Sequence, residues 1–289
     1  MRTNALAREA PLAQTYARVR LGNPWLQVYA GEHPAGAVCA LAALLDADSL
    51  VTEEQFALMA GQYKTQDRDI LVRFSFSSFV YALACATVGP FGVDRRVPVL
   101  DLDPADLRVR LGRSGVVDAL VLPDSRFWCL PDDPDANHPD ALPVADEQAL
   151  CELLRSGLVR ACAPLIAALR PRARIGARAL WISAAETCAS ILIDALPPGT
   201  PASDAQAAVD QLIGSASSPL RARPEIIMLA SGAMQHVSML GSDCCTNFKI
   251  PGETYCATCP HRPRQERIEA LQSWLAERAA ASGATEAAG

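Results

Sequence analysis

The chain has 289 residues and a mass of 30.8 kDa, enough to bury a full hydrophobic core as one large domain or two smaller ones without cross-links. Half of the residues are hydrophobic, 20% are charged and the mean hydropathy is +0.12, which excludes a disordered or fibrous chain. The net charge of −6 offers no positive excess for holding phosphate backbones, so nucleic acid is not an expected partner.

Met1 to Arg20 is interrupted every few residues by Arg, Glu or Pro, which argues against a secretory signal. An ordinary first helix and a cytoplasmic location are expected. Thr52-Glu-Glu-Gln55 has the form of a capping box and predicts a helix start, with Thr52 and Gln55 each satisfying a free backbone N–H. Phe74 to Val93 carries no charge and has about the length that crosses a bilayer, but Gly89-Pro90 predicts a helix ending near Val88, too short to span. The chain is therefore expected to have no transmembrane span, with room left for peripheral membrane contact.

From Val97 to Leu130, short β-branched or aromatic runs separated by turn residues predict an antiparallel meander. Pro131 to Asp146, rich in Pro and Asp, reads as a surface loop at a subdomain boundary. Helices are expected over Ala145 to Leu169, Ala177 to Leu196 and, opened by Ser203 and Asp204 as caps, up to Ile213. Ile226 to Ser242 suits a buried helix or a strand pair. Arg264 to Ala281 puts Ile268, Leu271, Trp274 and Leu275 on one stripe and predicts an amphipathic helix, with the Ala-rich end frayed.

These elements define an α+β fold, helix-rich, with a β meander in the first half. Three segments are expected: residues 1–140 as an N-terminal α+β subdomain, 141–240 as a helical subdomain, and 241–289 as a cysteine loop with its C-terminal helix. Seven acids between Pro131 and Glu152 are followed by six Arg between Arg155 and Arg178. The two blocks either compensate each other or leave Arg free for an anionic partner.

Ten cysteines divide into two populations. Cys39, Cys85, Cys129, Cys151, Cys162 and Cys188 are isolated in apolar surroundings and suit the core. Cys244, Cys245, Cys256 and Cys259 have the spacing C-C-x10-C-x2-C, which suggests a shared metal. Pro251-Gly252 has the residues of a type II turn, and an idealised fold-back about it sets Cys244 opposite Cys259 and Cys245 opposite Thr258. Adjacent cysteines diverge, which suits an extended two-iron centre better than one tetrahedral ion, so 2Fe-2S is favoured while zinc and thiol chemistry stay open.

This motif, followed by Pro260 near the end of a chain of this length, resembles the FhuF-type ferric-siderophore reductases. The likeness is specific over Cys244 to Arg262 and includes Phe248 and the Pro251-Gly252 turn. It implies that Cys244, Cys245, Cys256 and Cys259 ligate a 2Fe-2S cluster and that the activity is one-electron reduction of Fe(III) in a siderophore, hydroxamate type favoured, to release Fe(II). A zinc-stapled binding module and an iron-sulfur carrier or sensor are the alternatives.

No dinucleotide or flavin fingerprint is visible, so a ferredoxin or flavoprotein is the expected electron donor. Asp243 departs from the family's basic residue before the Cys pair, and an acid there is expected to lower the reduction potential. Arg170, Arg172, Arg174, Arg178 and Lys249 are the candidate contacts for an anionic chelate. His236 and His261, either of which could tune the cluster, are read as a polar core residue and a helix-start residue.

Overall fold

A computed structural model describes residues 10–20, 26–31, 38–46, 49–100 and 106–286. In chain order the first half contains α1 (Pro11–Arg20), β1 (Gln27–Ala30), β2 (Cys39–Ala40), α2 (Leu41–Leu45), α3 (Leu50–Tyr63), α4 (Arg68–Asp94), β3 (Val97–Pro98), β4 (Arg108–Leu111), β5 (Val117–Leu122), β6 (Phe127–Cys129) and β7 (Ala141–Pro143). The second half contains α5 (Glu147–Leu169), α6 (Ala177–Ala195), α7 (Ala202–Ile213), β8 (Glu225–Ser231), β9 (Met234–Leu240) and α8 (Arg264–Glu286). The class is mixed α+β and helix-rich, as expected, with a C-terminal helix after the cysteine loop.

The central helix corrects the sequence reading. α4 does not stop near Val88 but passes through Gly89-Pro90 to Asp94. Proline lacks the N–H that would reach the Ala86 carbonyl, and the Tyr16 hydroxyl donates to that carbonyl instead, at 2.8 Å. α1 comes close at Gly89, where a Cβ would meet Val19 at 2.9 Å. α4 is thus long and apolar enough to cross a membrane by length and composition, and 78% of its apolar window is buried inside this fold. It packs against α6, α1, α5 and β5.

Two helix starts also differ from expectation. Ser49, not Thr52, caps α3 by accepting from Thr52 N–H, while Thr52 Oγ1 donates to Leu44 O. Gln55 is drawn into the core instead, donating to Gly115 O at 3.0 Å and accepting from Ser75 Oγ at 2.7 Å. α7 begins at Ala202 after Pro201 and has no side-chain cap, with Ser203 and Asp204 inside its first turn. At the other end, α8 runs past Ala281 to Glu286.

The expected strand runs are present as β3 to β6, distributed over two small sheets. One has the order β1-β5-β4-β2, with β4-β5 an antiparallel hairpin and β1 parallel to β5. The other has the order β3-β6-β7. The part of the first run at residues 101–102 lies outside the described residues. The segment after β6 is irregular apart from β7, and β8-β9 form a hairpin over Glu225 to Leu240. One hydrophobic core extends from Leu12 to Ile226, and a small separate cluster of Leu229, Leu240, Leu271 and Leu275 fastens α8 to the β8-β9 hairpin.

The acidic and basic blocks do not mainly neutralise each other. Arg96, 4% exposed, donates to Asp133 at 2.7 and 2.8 Å and to Asp135 at 2.7 Å, tying the acidic loop to the end of α4. Glu147 pairs with Arg95, and Arg172 with Glu53. Glu152 and Arg155 do pair across the two blocks.

Burial alone would raise the Asp133 carboxyl, but hydrogen bonds from Arg96 and the Asp135 N–H, with the Arg96 charge, hold it below its ordinary value. Its contribution is complete above the unfolded carboxylate range and is lost as pH falls through the lower folded value. Asp133→Asn is expected to lose about 3 kcal/mol in urea unfolding near pH 7, with the difference narrowing below about pH 4. A difference constant with pH would show that the Asp133 charge is not what Arg96 requires.

Candidate metal centre

The cysteine loop is slung between the end of β9 and the start of α8. Leu240 belongs to the small leucine cluster, and the chain then passes through Gly241-Ser242-Asp243 into Cys244. This entry segment is fixed by a buried carboxylate. Glu186 of α6, 6% exposed, accepts from the Ser242 N–H at 2.6 Å, the Ser242 hydroxyl at 2.8 Å and the Asp243 N–H at 3.0 Å. A Cβ at Gly241 would overlap the same carboxylate, so a side chain there would push Glu186 out of these bonds.

Two arginines complete the frame. Arg73 Nη1, on α4, reaches both carboxylate oxygens of Asp243, at 2.9 and 3.0 Å. Arg267 of α8 donates to Gly241 O at 2.6 Å. Both are buried, and the Nε of each has no hydrogen-bond partner. The Asp243 charge that sequence alone sets beside the cluster is therefore matched by the Arg73 guanidinium.

Past the Cys pair, Thr246 adopts a left-handed conformation (φ 60°) and Asn247–Lys249 forms a single 3-10 turn. The turn at Pro251-Gly252 is as expected, with Gly252 at φ 87° and the Glu253 N–H donating to Ile250 O at 3.0 Å. Cys256 to Cys259 curls into a tight turn closed by Cys259 N–H to Cys256 O at 3.1 Å. Arg262 clamps it from outside, its Nε donating to Cys256 O at 3.1 Å and its Nη2 to Tyr255 O at 2.9 Å. Phe248, Tyr255 and His261 stack across the loop with ring centroids 4.8 to 5.7 Å apart.

This path brings the four thiols together as two pairs, Cys244 with Cys259 and Cys245 with Cys256. The first pair agrees with the idealised fold-back; Cys245 meets Cys256 and not Thr258, because the Cys-x-x-Cys segment curls. Cys259 is buried and Cys244 half-buried, while Cys245 and Cys256 are exposed. Burial and the neighbouring thiols push Cys244 up and Cys256 to about 11, so metal must displace protons here near neutral pH.

Among the described residues, no three His, Cys, Asp or Glu side chains are arranged for a single metal ion. Four thiols in two pairs fit the needs of a two-iron centre. The other cysteines are buried apart from half-buried Cys39, and burial raises their thiols, Cys85 and Cys162 to about 12 and Cys129 to about 11.

The remaining candidates are spread out. Lys249 is exposed on the loop itself, and Arg170 and Arg174 are exposed after α5. Arg172 pairs with Glu53 and donates to Asp46 O, and the Arg174 backbone N–H donates to Asp69. Arg178 lines a cavity that reaches Ser242. His236 stacks on Trp274 of α8 at 5.0 Å, and His261 sits three residues before that helix in the aromatic stack.

Glu186, Arg73, Arg267 and Arg262 were not singled out by sequence reasoning. A signal existed for the first two, each a charge set among apolar and small residues in the interior of a long helix, where burial without a partner is prohibitive.

A family model for the FhuF 2Fe-2S C-terminal domain matches residues 244–261. The match covers the whole quartet and the turn between its halves, so the chain carries a FhuF-like loop and the cofactor is a 2Fe-2S cluster. No curated protein matches the chain.

The buried ion pair sets a testable electrostatic balance. Arg73→Met removes a positive charge and is expected to lower the cluster's midpoint potential by about 30–60 mV, or 0.7–1.4 kcal/mol for one electron. Asp243→Asn should raise it by a similar amount, and the double variant should return close to the native value. Redox titration followed by EPR reads all three; unmoved potentials would show that the pair does not act on the cluster.

Proposed function

We propose that this protein is a cytoplasmic ferric-siderophore reductase in which Cys244, Cys245, Cys256 and Cys259 hold the 2Fe-2S cluster. The observation that carries the reading is the match of residues 244–261 to the FhuF 2Fe-2S domain over four thiols grouped in pairs, two of them at the surface. Bound there, the cluster supplies one-electron transfer to an acceptor. A siderophore holds Fe(III), a hard ion, through charged oxygen donors, and one added electron gives a softer, less charged Fe(II) that those donors hold more weakly. Reduction is thus release.

The protein's own side chains have simpler tasks. Glu186 and Arg267 fix the entry to the Cys pair, Arg73 offsets Asp243, and Arg262 holds the Cys-x-x-Cys turn, so that exposed Cys245 and Cys256 stay at the surface where a ferredoxin or flavoprotein donor and a chelate can approach. Lys249, exposed on the same loop, supplies a positive charge toward an anionic chelate.

Anaerobically purified protein is expected to be reddish, with two irons and two sulfides per chain and an EPR signal after dithionite. It should speed the reduction of a ferric hydroxamate, and Cys→Ser at each of the four positions should remove colour and turnover together. Lys249→Glu should raise the Michaelis constant about threefold to tenfold. Colourless, zinc-loaded material would sink the reading. A normal cluster signal without faster chelate reduction would leave an iron-sulfur carrier or sensor in its place.

A further inference from the structure

A cavity of about 840 Å3 opens between the start of α6 and the irregular segment that links α7 to β8, with Ser242 on its border. Three guanidinium groups line it, from Arg178, Arg221 and Arg223, together with Trp181 and Ile182, and no acidic residue is among the lining. Arg221 donates to Ala216 O at 2.9 Å. Among the described residues the side chains of Arg178 and Arg223 have no hydrogen-bond or ion-pair partner.

In a chain of net charge −6, Arg73, Arg96, Arg110 and Arg172 have carboxylate partners, whereas this cavity gathers three guanidinium groups with no such partner among the described residues; the carboxylate at its Ser242 border, that of Glu186, is already taken up by Ser242 and Asp243. The cavity lies beside the cluster loop. Ser242 precedes Cys244 by two residues, so their Cα atoms are at most about 7 Å apart.

We propose that this cavity is the docking site of the ferric chelate, and that it selects chelates bearing net negative charge, such as those with free carboxylates around their iron-binding groups. The inference rests on the reductase reading and adds the place and charge class of the substrate. The volume is within the usual range for ligand sites of about 300–1,000 Å3. Trp181 and Ile182 offer an apolar wall to the chelate's backbone, and the arginine fork matches carboxylate oxygens. A second cavity, between the end of α6 and β9, measures about 230 Å3 and presents Asp194, which fits such a ligand neither in size nor in charge.

The test separates charge from iron chemistry. Ferrioxamine B with its free amine is cationic; acetylating that amine makes the chelate neutral, and succinylating it makes it anionic, with the same hydroxamate coordination throughout. The native holoprotein, reduced with dithionite, should show a Michaelis constant about tenfold lower for the anionic form than for the cationic form, the gap shrinking with added salt. Arg178→Glu with Arg223→Glu should abolish or reverse that order, while Arg178→Lys with Arg223→Lys keeps it. Iron content and circular dichroism check that each variant is folded and loaded.

The gallium(III) forms of the three chelates, which cannot be reduced, give a binding readout by calorimetry independent of turnover. Charge-ordered gallium binding without ferric reduction would keep the cavity as a chelate site and overturn the reductase reading. Reduction with equal Michaelis constants for all three chelates, or an order surviving both Glu substitutions, would overturn the cavity. Neither binding nor reduction of any form would overturn both.

Discussion

The cysteine loop depends on one carboxylate. Glu186 reaches from the interior of α6 to receive two backbone N–H groups and a hydroxyl at the point where the chain leaves β9 for the Cys pair. Burying a carboxylate is costly unless its oxygens are satisfied, and three donors satisfy it here. The same bonds tell the loop where to begin. Glycine at position 241 lets the backbone approach that closely, and Arg267 secures its carbonyl from the opposite side. This buried polar junction thus ties the loop and α8 to the core helices, beside the packing of β8 on α7 and of β9 on α6.

That junction also sets the charge around the cofactor. Asp243 read in isolation predicts a cluster reluctant to accept an electron, but sequence distance hides Arg73, which is 170 positions earlier and on the central helix. With Arg73 in contact, the Asp243 charge is largely offset. An opposing charge screened by a partner at 2.9 Å acts far more weakly at longer range than either charge alone.

What the sequence revealed followed the reach of its signals. The long helices α5 and α6 and the turn at Pro251-Gly252 are local, so periodicity and a Pro-Gly pair sufficed to find them. The quartet of cysteines is also local, lying within 16 consecutive residues. The readings that changed within α4 and at the start of α3 turned on a partner farther along the chain. Pro90 leaves the Ala86 carbonyl without its helical donor, and Tyr16 fills that place from 70 positions away. Thr52 and Gln55 form a capping box only if nothing competes for their side chains, and Leu44, Ser75 and Gly115 do. The strand pairing of β1 with β5 and of β3 with β6 is likewise non-local, invisible to a pattern that reads neighbours.

The exposure of the four thiols gives the loop a direction. Cys259 and Cys244 face inward, near the Glu186 and Arg73 junction, whereas Cys245 and Cys256 face solvent. The inward side is held by hydrogen bonds to α4, α6 and α8, so it positions the centre; the outward side is held by exposed contacts, the Arg262 clamp, the aromatic stack and the Asn247 amide donating to Glu253, so it can be approached. A one-electron site needs this division, because an environment that moves on electron transfer adds to the barrier, while a site closed on all sides cannot exchange electrons with a partner. The buried polar junction supplies the rigidity and the exposed pair supplies the access.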